Sequence, residues 1–286
     1  MTLEEATKDL SSKLANLYGP GEASAITDLV MEHITGWRKM DRIIHKKDEI
    51  PHRKKEQFQI FLEQLLTQKP VQYVLHEAWF MGMKLFVDEN VLIPRPETEE
   101  LIEWLITEWT QSNKPKIHVL DVGTGSGCIP IALKKRMPDC DFSACDLSPA
   151  AIGVAKKNAS DQGVFIKFLQ VDFLEPMQRS LLENVDVIIS NPPYIPKAES
   201  DSLDKHVVNF EPHIALFVPD NDPLVFYSAI LDFALDHLRS KGQIFLELHE
   251  NLGEKVSDLF RNRDYSEVEL KKDLHGKVRM LRAEKK

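Results

Sequence analysis

The stretch Val119-Leu120-Asp121-Val122-Gly123-Thr124-Gly125-Ser126-Gly127 constrains the fold most, because it joins a strand pattern to a helix pattern through three glycines. A β-prone apolar run covers residues 117–122, and a helical pattern covers 129–136. Glycines let the backbone turn sharply and come close to a ligand. Further strand candidates follow at 142–145, 166–171, 185–190 and 243–248, with helical stretches such as 148–159 and 223–238 between them. Strands separated by helices imply βαβ units and a mainly parallel sheet covered on both faces. Two last strand candidates, 268–270 and 278–282, are joined only by the short link 271–277. A short link favours antiparallel neighbours. The expectation is an α/β, Rossmann-like fold with a seven-stranded, mainly parallel sheet that ends in one antiparallel strand.

Upstream the pattern is different. Residues 1–70 read as helices: Leu10, Leu14 and Leu17, then Ile26, Leu29 and Val30, recur at three- and four-residue spacing. Tyr18-Gly19-Pro20-Gly21 should break the first helix, 48–51 should be another boundary, and Pro70 should end the stripe Phe58, Phe61, Leu62, Leu65 and Leu66. Trp79 to Val87 is short, β-prone and centred on Gly82, as a hairpin would be. Pro94-Arg95-Pro96 cannot lie inside a helix, and 98–110 resumes a helical pattern. The chain therefore divides into a helical bundle domain over 1–72, a hairpin connector over 73–95 and the α/β domain over 96–286.

Composition removes several classes. Lys plus Arg total 36 against 45 Asp plus Glu, a formal charge of −9. Proteins that grip duplex nucleic acid need clustered cations, so no stable nucleic-acid partner is expected. One basic stretch does occur: residues 38–55, from Arg38 to Lys55, carry eight Lys/Arg against three acids. It is either a solvated face or a docking surface for an acidic partner. Cys128, Cys140 and Cys145 are too few and odd in number for a disulfide framework, and they form no zinc pattern, so no metal is expected. There is no apolar leader and no long apolar run, so a cytoplasmic chain without a membrane span is expected, acting as a monomer.

The glycine loop points to a nucleoside cofactor. Its spacing is G-x-G-x-G rather than the G-x-G-x-x-G of dinucleotide binders, with Cys128 at the next position. Asp121 is out of place beside a pyrophosphate but suits a cofactor with a free amino group and a cationic centre. S-adenosylmethionine fits that description. Asp146 ends the next strand candidate, where a carboxylate can accept from both ribose hydroxyls. The expected cofactor residues in this stretch are Asp121, Gly123, Thr124, Gly125, Ser126, Gly127 and Asp146.

Asn191-Pro192-Pro193-Tyr194 follows the strand 185–190, at the same sheet edge. Prolines fix φ and contribute carbonyls without competing N–H groups. The Asn191 side chain and the Pro192 carbonyl can then offer two acceptors to one planar –NH2 group, with the Tyr194 ring as an aromatic face. An amide nitrogen is a poor nucleophile, so holding it in line with a methyl donor supplies most of what catalysis requires. Asn191, Pro192 and Tyr194 are the expected catalytic residues, with Pro193 joining them in substrate binding.

With these residues in view the sequence resembles the class I S-adenosylmethionine-dependent methyltransferases, and within them the HemK/PrmC family of release factor glutamine methyltransferases. The matching stretches are Leu92-Ile93-Pro94-Arg95-Pro96-Glu97-Thr98-Glu99, the glycine loop, Asn191-Pro192-Pro193-Tyr194, Phe210-Glu211-Pro212 with Ala215-Leu216, and Asp273-Leu274-His275-Gly276-Lys277-Val278-Arg279. The resemblance implies a substrate, the glutamine of the Gly-Gly-Gln motif in class 1 peptide-chain release factors, and an N-terminal domain that helps dock that partner. It also implies that Phe173 lies against the adenine with Asp172 nearby, and that Asn191 contacts cofactor as well as substrate. The family often has Tyr-x-x-Gly where this chain has Tyr73 followed by His76. It assigns no role to Arg95 or Glu97. Glu247 and His249, at a strand end, either orient the cofactor or are polar residues of the sheet edge.

Two other readings stay open. One is an N6-adenine or N2-guanine methyltransferase acting on nucleic acid, which the acidic charge opposes and the stretch 38–55 permits. The other is a cofactor-binding scaffold without catalysis, for which an intact Asn191-Pro192-Pro193-Tyr194 has no use.

Overall fold

The computed structural model describes residues 1–111, 116–263 and 265–286. The chain divides into two units, Met1–Glu77 with Asp204–Phe210, and Ala78–Leu203 with Glu211–Lys286. The first contains α1 (Leu3–Thr35), α2 (Lys39–Ile44), α3 (His52–Leu66) and α4 (Val71–Leu75). Thr2 and Glu5 cap α1 reciprocally: Thr2 Oγ1 accepts from the Glu5 N–H, and the Glu5 carboxylate from the Thr2 N–H. The break expected at 18–21 is a kink within α1, where Gly19 leaves helical geometry with φ 77° just before Pro20. Leu10, Leu14, Val30 and Met31 of α1 pack with Phe58, Leu62 and Leu65 of α3 in one core.

Pro51 caps the start of α3, which puts a boundary where 48–51 was read. Pro70 does not end α3, which stops at Leu66. It is the N-cap of α4, where its missing N–H costs nothing. His76 caps the C-terminus of α4 in the left-handed region at φ 52°, a conformation that favours glycine. Part of the basic stretch is spent internally. Arg42 is buried and bridges to Asp28 at 2.6 Å, and Lys39 bridges to the same carboxylate.

The second unit begins with the hairpin β1 (Ala78–Phe80) and β2 (Met83–Leu85). Its two turn residues, Met81 and Gly82, both have positive φ, as a tight hairpin turn of matching twist requires. The Met81 N–H donates to Glu99 Oε1 at 2.7 Å, which ties the turn to α5 (Pro96–Gln111).

The order then runs β3 (His118–Val122), α6 (Cys128–Arg136), β4 (Asp141–Asp146), α7 (Pro149–Asp161), β5 (Lys167–Gln170), α8 (Pro176–Arg179), β6 (Val185–Ser190) and β7 (Ile195–Pro196). After α9 (Lys205–Phe210), which belongs to the first unit, come α10 (His213–Leu216), β8 (Phe217–Val218), α11 (Val225–His237), β9 (Leu238–Glu247), α12 (Gly253–Arg261), β10 (Tyr265–Lys272) and β11 (Val278–Lys285).

Seven strands form one sheet in the order β10-β11-β9-β6-β3-β4-β5. β3, β4, β5, β6 and β9 pair in parallel, while β11 runs antiparallel to both its neighbours. The antiparallel strand is thus inserted between β9 and β10 and does not close the edge. Side chains alternate between faces as the strand period demands: Ile189 and Phe245 join one core with α5 and α6, and Ile188 and Leu246 join the other with α11 and α12.

β9 starts five residues before the apolar run at 243–248. Its first part, Arg239-Ser240-Lys241, is polar and irregular, with Lys241 at φ 58°, so no apolar pattern marks it. The three cysteines are buried and free.

The glycine loop is held by packing as well as by turns. A Cβ on Gly127, at φ 79°, would lie 3.1 Å from Ala155 Cβ and 3.2 Å from its Cα, in α7. Gly127→Ala is expected to destabilise the chain by about 1–3 kcal/mol through combined strain and overpacking. Denaturant melts check it, and an unchanged midpoint would show that α6 and α7 can move apart.

Candidate active site

The carboxyl ends of β3, β4 and β6 open onto a cavity of about 270 Å³. β3 sits between β4 and β6, where the strand order reverses, which is where open α/β sheets bind ligands. Gly123, Gly125 and Gly127 all have positive φ, and the loop they form is tied to β4 by its own amides. Gly123 and Thr124 donate N–H to the Cys145 carbonyl at 2.9 and 3.0 Å. Gly125 donates to Asp146 Oδ2 at 2.8 Å, and Ser148 to Oδ1 at 2.9 Å. Burial pushes the Asp146 carboxyl above its usual range, and these amides pull it partly back. Each oxygen has taken one donor and keeps acceptor capacity.

Asp121 is in a different position. Its side chain is buried and neither carboxylate oxygen has a hydrogen-bond partner among the described residues; the same is true of the Thr124 hydroxyl. Burial raises its carboxyl from 3.8 to about 7, against a pull from the neighbouring Thr124 hydroxyl, and the nearby charge of Asp146 adds to the rise. An acid left unpaired inside a protein is a strong candidate for a cationic ligand group.

Asn191, Pro192 and Pro193 continue from β6 along the cavity wall. Asn191 Nδ2 donates to Thr98 Oγ1 at 3.0 Å, and Thr98 Oγ1 donates to Glu247 Oε2 at 2.6 Å. Tyr194 donates its hydroxyl to Glu247 Oε1 at 3.2 Å. Burial pushes Glu247 up to about 7, against the pull of these two hydroxyls. The Tyr194 ring stands edge-on to His249 at 6.0 Å. His249 in turn meets Glu199 at 3.1 Å.

Among the residues anticipated from sequence, Gly123, Gly125, Asp146, Asp172 and Phe173 line the cavity, as does the Asn191-Pro192-Pro193 turn. Asp121, Thr124, Ser126, Gly127 and Tyr194 do not. Ser126 serves the loop through its carbonyl, which accepts from Asn158 Nδ2 at 2.9 Å. Asn158 also exchanges two bonds with the main chain of Phe86, so one buried side chain fastens the loop to the segment after the hairpin. Nothing in the sequence singles out Asn158, Thr98 or the apolar wall of Leu147, Ile214 and Phe217. Thr98 lies within the Leu92-to-Glu99 stretch that carries the family resemblance. Arg95 and Glu97 begin the same helix region; Arg95 bridges to the buried Glu211, which also accepts from the Ile93 N–H at 3.2 Å.

A glycine loop, a strand-end acid and an Asn-Pro-Pro turn at the switch point of a sheet with one inserted antiparallel strand define a class I methyltransferase fold. Solved structures share that fold: the hMettl16 catalytic domain in complex with MAT2A 3'UTR hairpin 6 matches with a TM-score of 0.55 at 16% identity, covering 82% of this chain and 81% of that one. A methyltransferase from Pyrococcus furiosus matches with a TM-score of 0.50 at 16% identity, covering 72% and 90%. The Methyltransferase small domain family matches residues 99–209, and the PrmC N-terminal domain family matches residues 5–75.

Curated relatives are closer. A release factor glutamine methyltransferase of Flavobacterium psychrophilum is 37% identical over 94% of this chain and 94% of its own length. Proteins of the same name are 38% identical in Streptococcus pneumoniae (91% of each chain) and 32% identical in Bacteroides thetaiotaomicron (98% of this chain, 99% of that one). This chain belongs to the release factor glutamine methyltransferase family. Among the described residues no helix is long and apolar enough to cross a membrane.

The buried Asp121 has a stability consequence. Its acid holds a proton up to about 7 when folded, against 3.8 in the free group. The folded state therefore binds more protons across that window, and stability falls as pH rises through it. Asp121→Asn is expected to raise the melting temperature of the ligand-free protein at about pH 8, with a smaller gain at about pH 5. Thermal melts at the two pH values check this. An equal gain at both would mean that the charge is not the source.

Proposed function

We propose that this chain transfers a methyl group from S-adenosylmethionine to the side-chain amide nitrogen of the glutamine in the Gly-Gly-Gln motif of class 1 release factors. The observation that carries the reading is Asn191. Its amide nitrogen is bonded back to Thr98, so its carbonyl is left to the cavity that the glycine loop and Asp146 also line.

The residues present fit the cofactor. Asp121, buried and without a hydrogen-bond partner among the described residues, would pair with its amino group. Asp146 would accept from the ribose hydroxyls, and Gly123 and Gly125 admit it without side chains in the way. Asp172, Phe173 and the apolar Leu147 and Ile214 would enclose the adenine. When bound, S-adenosylmethionine supplies a methyl group on a cationic sulfur.

The chain's own residues then have one task, to hold a weak nucleophile. Asn191 Oδ1 and the Pro192 carbonyl accept the two hydrogens of the substrate amide and fix its nitrogen. Because a delocalised nitrogen attacks only when aligned, this orientation supplies most of the rate. No base is required beforehand, since the proton turns acidic once the methyl is attached. Tyr194 acts through Glu247 behind this wall, so its part is to hold the turn.

Support for the partner comes from the family and from the helical region. Residues 1–72 form the docking domain in this reading, 73–95 connect, and 96–286 carry the chemistry. The working unit in this reading is a monomer. The compartment is the cytoplasm, where release factors act.

The test is transfer of labelled methyl to a purified class 1 release factor, with a Gly-Gly-Gln to Gly-Gly-Ala factor as control. Label on the first alone is expected. Label on neither, from folded protein that binds cofactor, would turn attention to nucleic-acid substrates. Asn191→Ala should abolish turnover yet leave cofactor affinity within about twofold, since it removes one amide acceptor. Asp146→Ala should weaken cofactor binding by roughly 1.5–3 kcal/mol, the range for hydrogen bonds to a charged group. Calorimetry showing unchanged affinity would remove Asp146 from the ribose site.

A further inference from the structure

We infer that Thr98 and Glu247 are positioning residues that fix which end of the Asn191 side chain faces the substrate. The inference rests on the reading of Asn191 as the acceptor for a substrate amide. An asparagine side chain is nearly symmetric in shape but not in chemistry: one end accepts and the other donates. Turned over, Asn191 would present –NH2 to the substrate's –NH2, and two donors would face each other.

The bonding around it removes that choice. Glu247 is buried at the end of β9 and, when ionised, can only accept, which is the state that receives both the Thr98 and the Tyr194 hydroxyl. Thr98, on the first turn of α5, lies 2.6 Å from Glu247 Oε2. A hydroxyl has one proton, and here Glu247 takes it. The Thr98 oxygen is left as an acceptor, and the group 3.0 Å away must be the Asn191 amide nitrogen. Oδ1 is thereby turned to the cavity.

The second carboxylate oxygen is occupied by Tyr194, so the same acid also holds the far end of the Asn-Pro-Pro-Tyr turn. Tyr227 completes the enclosure by donating to the Glu247 main-chain carbonyl at 3.2 Å. One buried acid therefore sets both the place and the polarity of the turn. This explains why a carboxylate is kept where burial opposes its charge. It also gives Thr98 a purpose that its hydroxyl, rather than its size, must serve.

The experiment compares Thr98→Val with Thr98→Ser in the labelled-transfer assay. Val keeps the shape and removes the hydroxyl; Ser keeps the hydroxyl. Thr98→Val should lower kcat by about tenfold to a hundredfold with KM for the release factor and Kd for S-adenosylmethionine within about twofold, and Thr98→Ser should restore most of it. A Val variant as fast as the original chain, or a Ser variant as slow as Val, overturns the inference. Should Thr98→Val not fold, neutron diffraction on the unaltered protein decides. Deuterons on the Asn191 atom facing Thr98, and the Thr98 deuteron on the Glu247 side, uphold the relay, and a carbonyl facing Thr98 overturns it. An unaltered chain that labels no release factor fails the functional reading instead, and the neutron map then judges the relay by itself.

Discussion

The site depends on the bonds that close the glycine loop onto the end of β4. Cys145 receives two amides from the loop, and Asp146 receives a third. Those bonds are possible because Gly123, Gly125 and Gly127 turn through the left-handed region, which residues with a Cβ reach only under strain. Closing the loop this way does three things together. It starts α6, it leaves a side-chain-free floor at Gly123 and Gly125, and it brings Asp121 and Asp146 to neighbouring strand ends. Asn158 secures the arrangement from behind by bonding to the loop and to Phe86 at once.

The acids of the site divide according to what surrounds them. Asp146 is met by main-chain amides and keeps room for further donors. Among the described residues Asp121 has no hydrogen-bond partner that meets its carboxylate, and in the proposed reading a cationic group of the cofactor supplies one. Glu247 is met by two hydroxyls and uses them to order its neighbours. All three are raised by burial, yet the proposed function gives them three tasks: receiving hydroxyls, receiving a positive group, and orienting an amide. The difference lies in the donors each can reach, and those are set by which strands lie side by side.

Much of this was legible beforehand because the signals are local. β6 is legible to the residue because Val185, Val187, Ile188 and Ile189 make the segment rich in β-branched side chains, and all its positions except Asp186 are buried. The hairpin, the start of α3 and the kink at Gly19 follow from proline and glycine chemistry that acts within a few residues. Less was legible where the cause is distant. Pro70 was read as a stop because proline ends helices, yet here the chain had already turned at Leu66 and the proline begins the next helix. The polar start of β9 carries no strand pattern, since residues 239–242 bulge between Leu238, paired with Val185, and Gln243, paired with Val187. The place of β11 between β9 and β10 follows from tertiary pairing, whereas the short link showed only that the last two strands are antiparallel.

The sequence by itself determined the alternation of strand and helix, the glycine loop, the strand-end acid and the Asn-Pro-Pro turn. Each is a short segment whose conformation its own residues impose. Only the tertiary structure decided that Thr98, Asn191, Tyr194 and Glu247 form one hydrogen-bonded group. Those four come from a helix start and two strand ends, up to 149 positions apart. Hydrogen-bond polarity is a property of atoms in contact, and contact across such separations is fixed by strand order in the sheet. For the same reason Asp121 could be named as a carboxylate near a cofactor, while its burial without a hydrogen-bond partner among the described residues is decided by the core that closes around it.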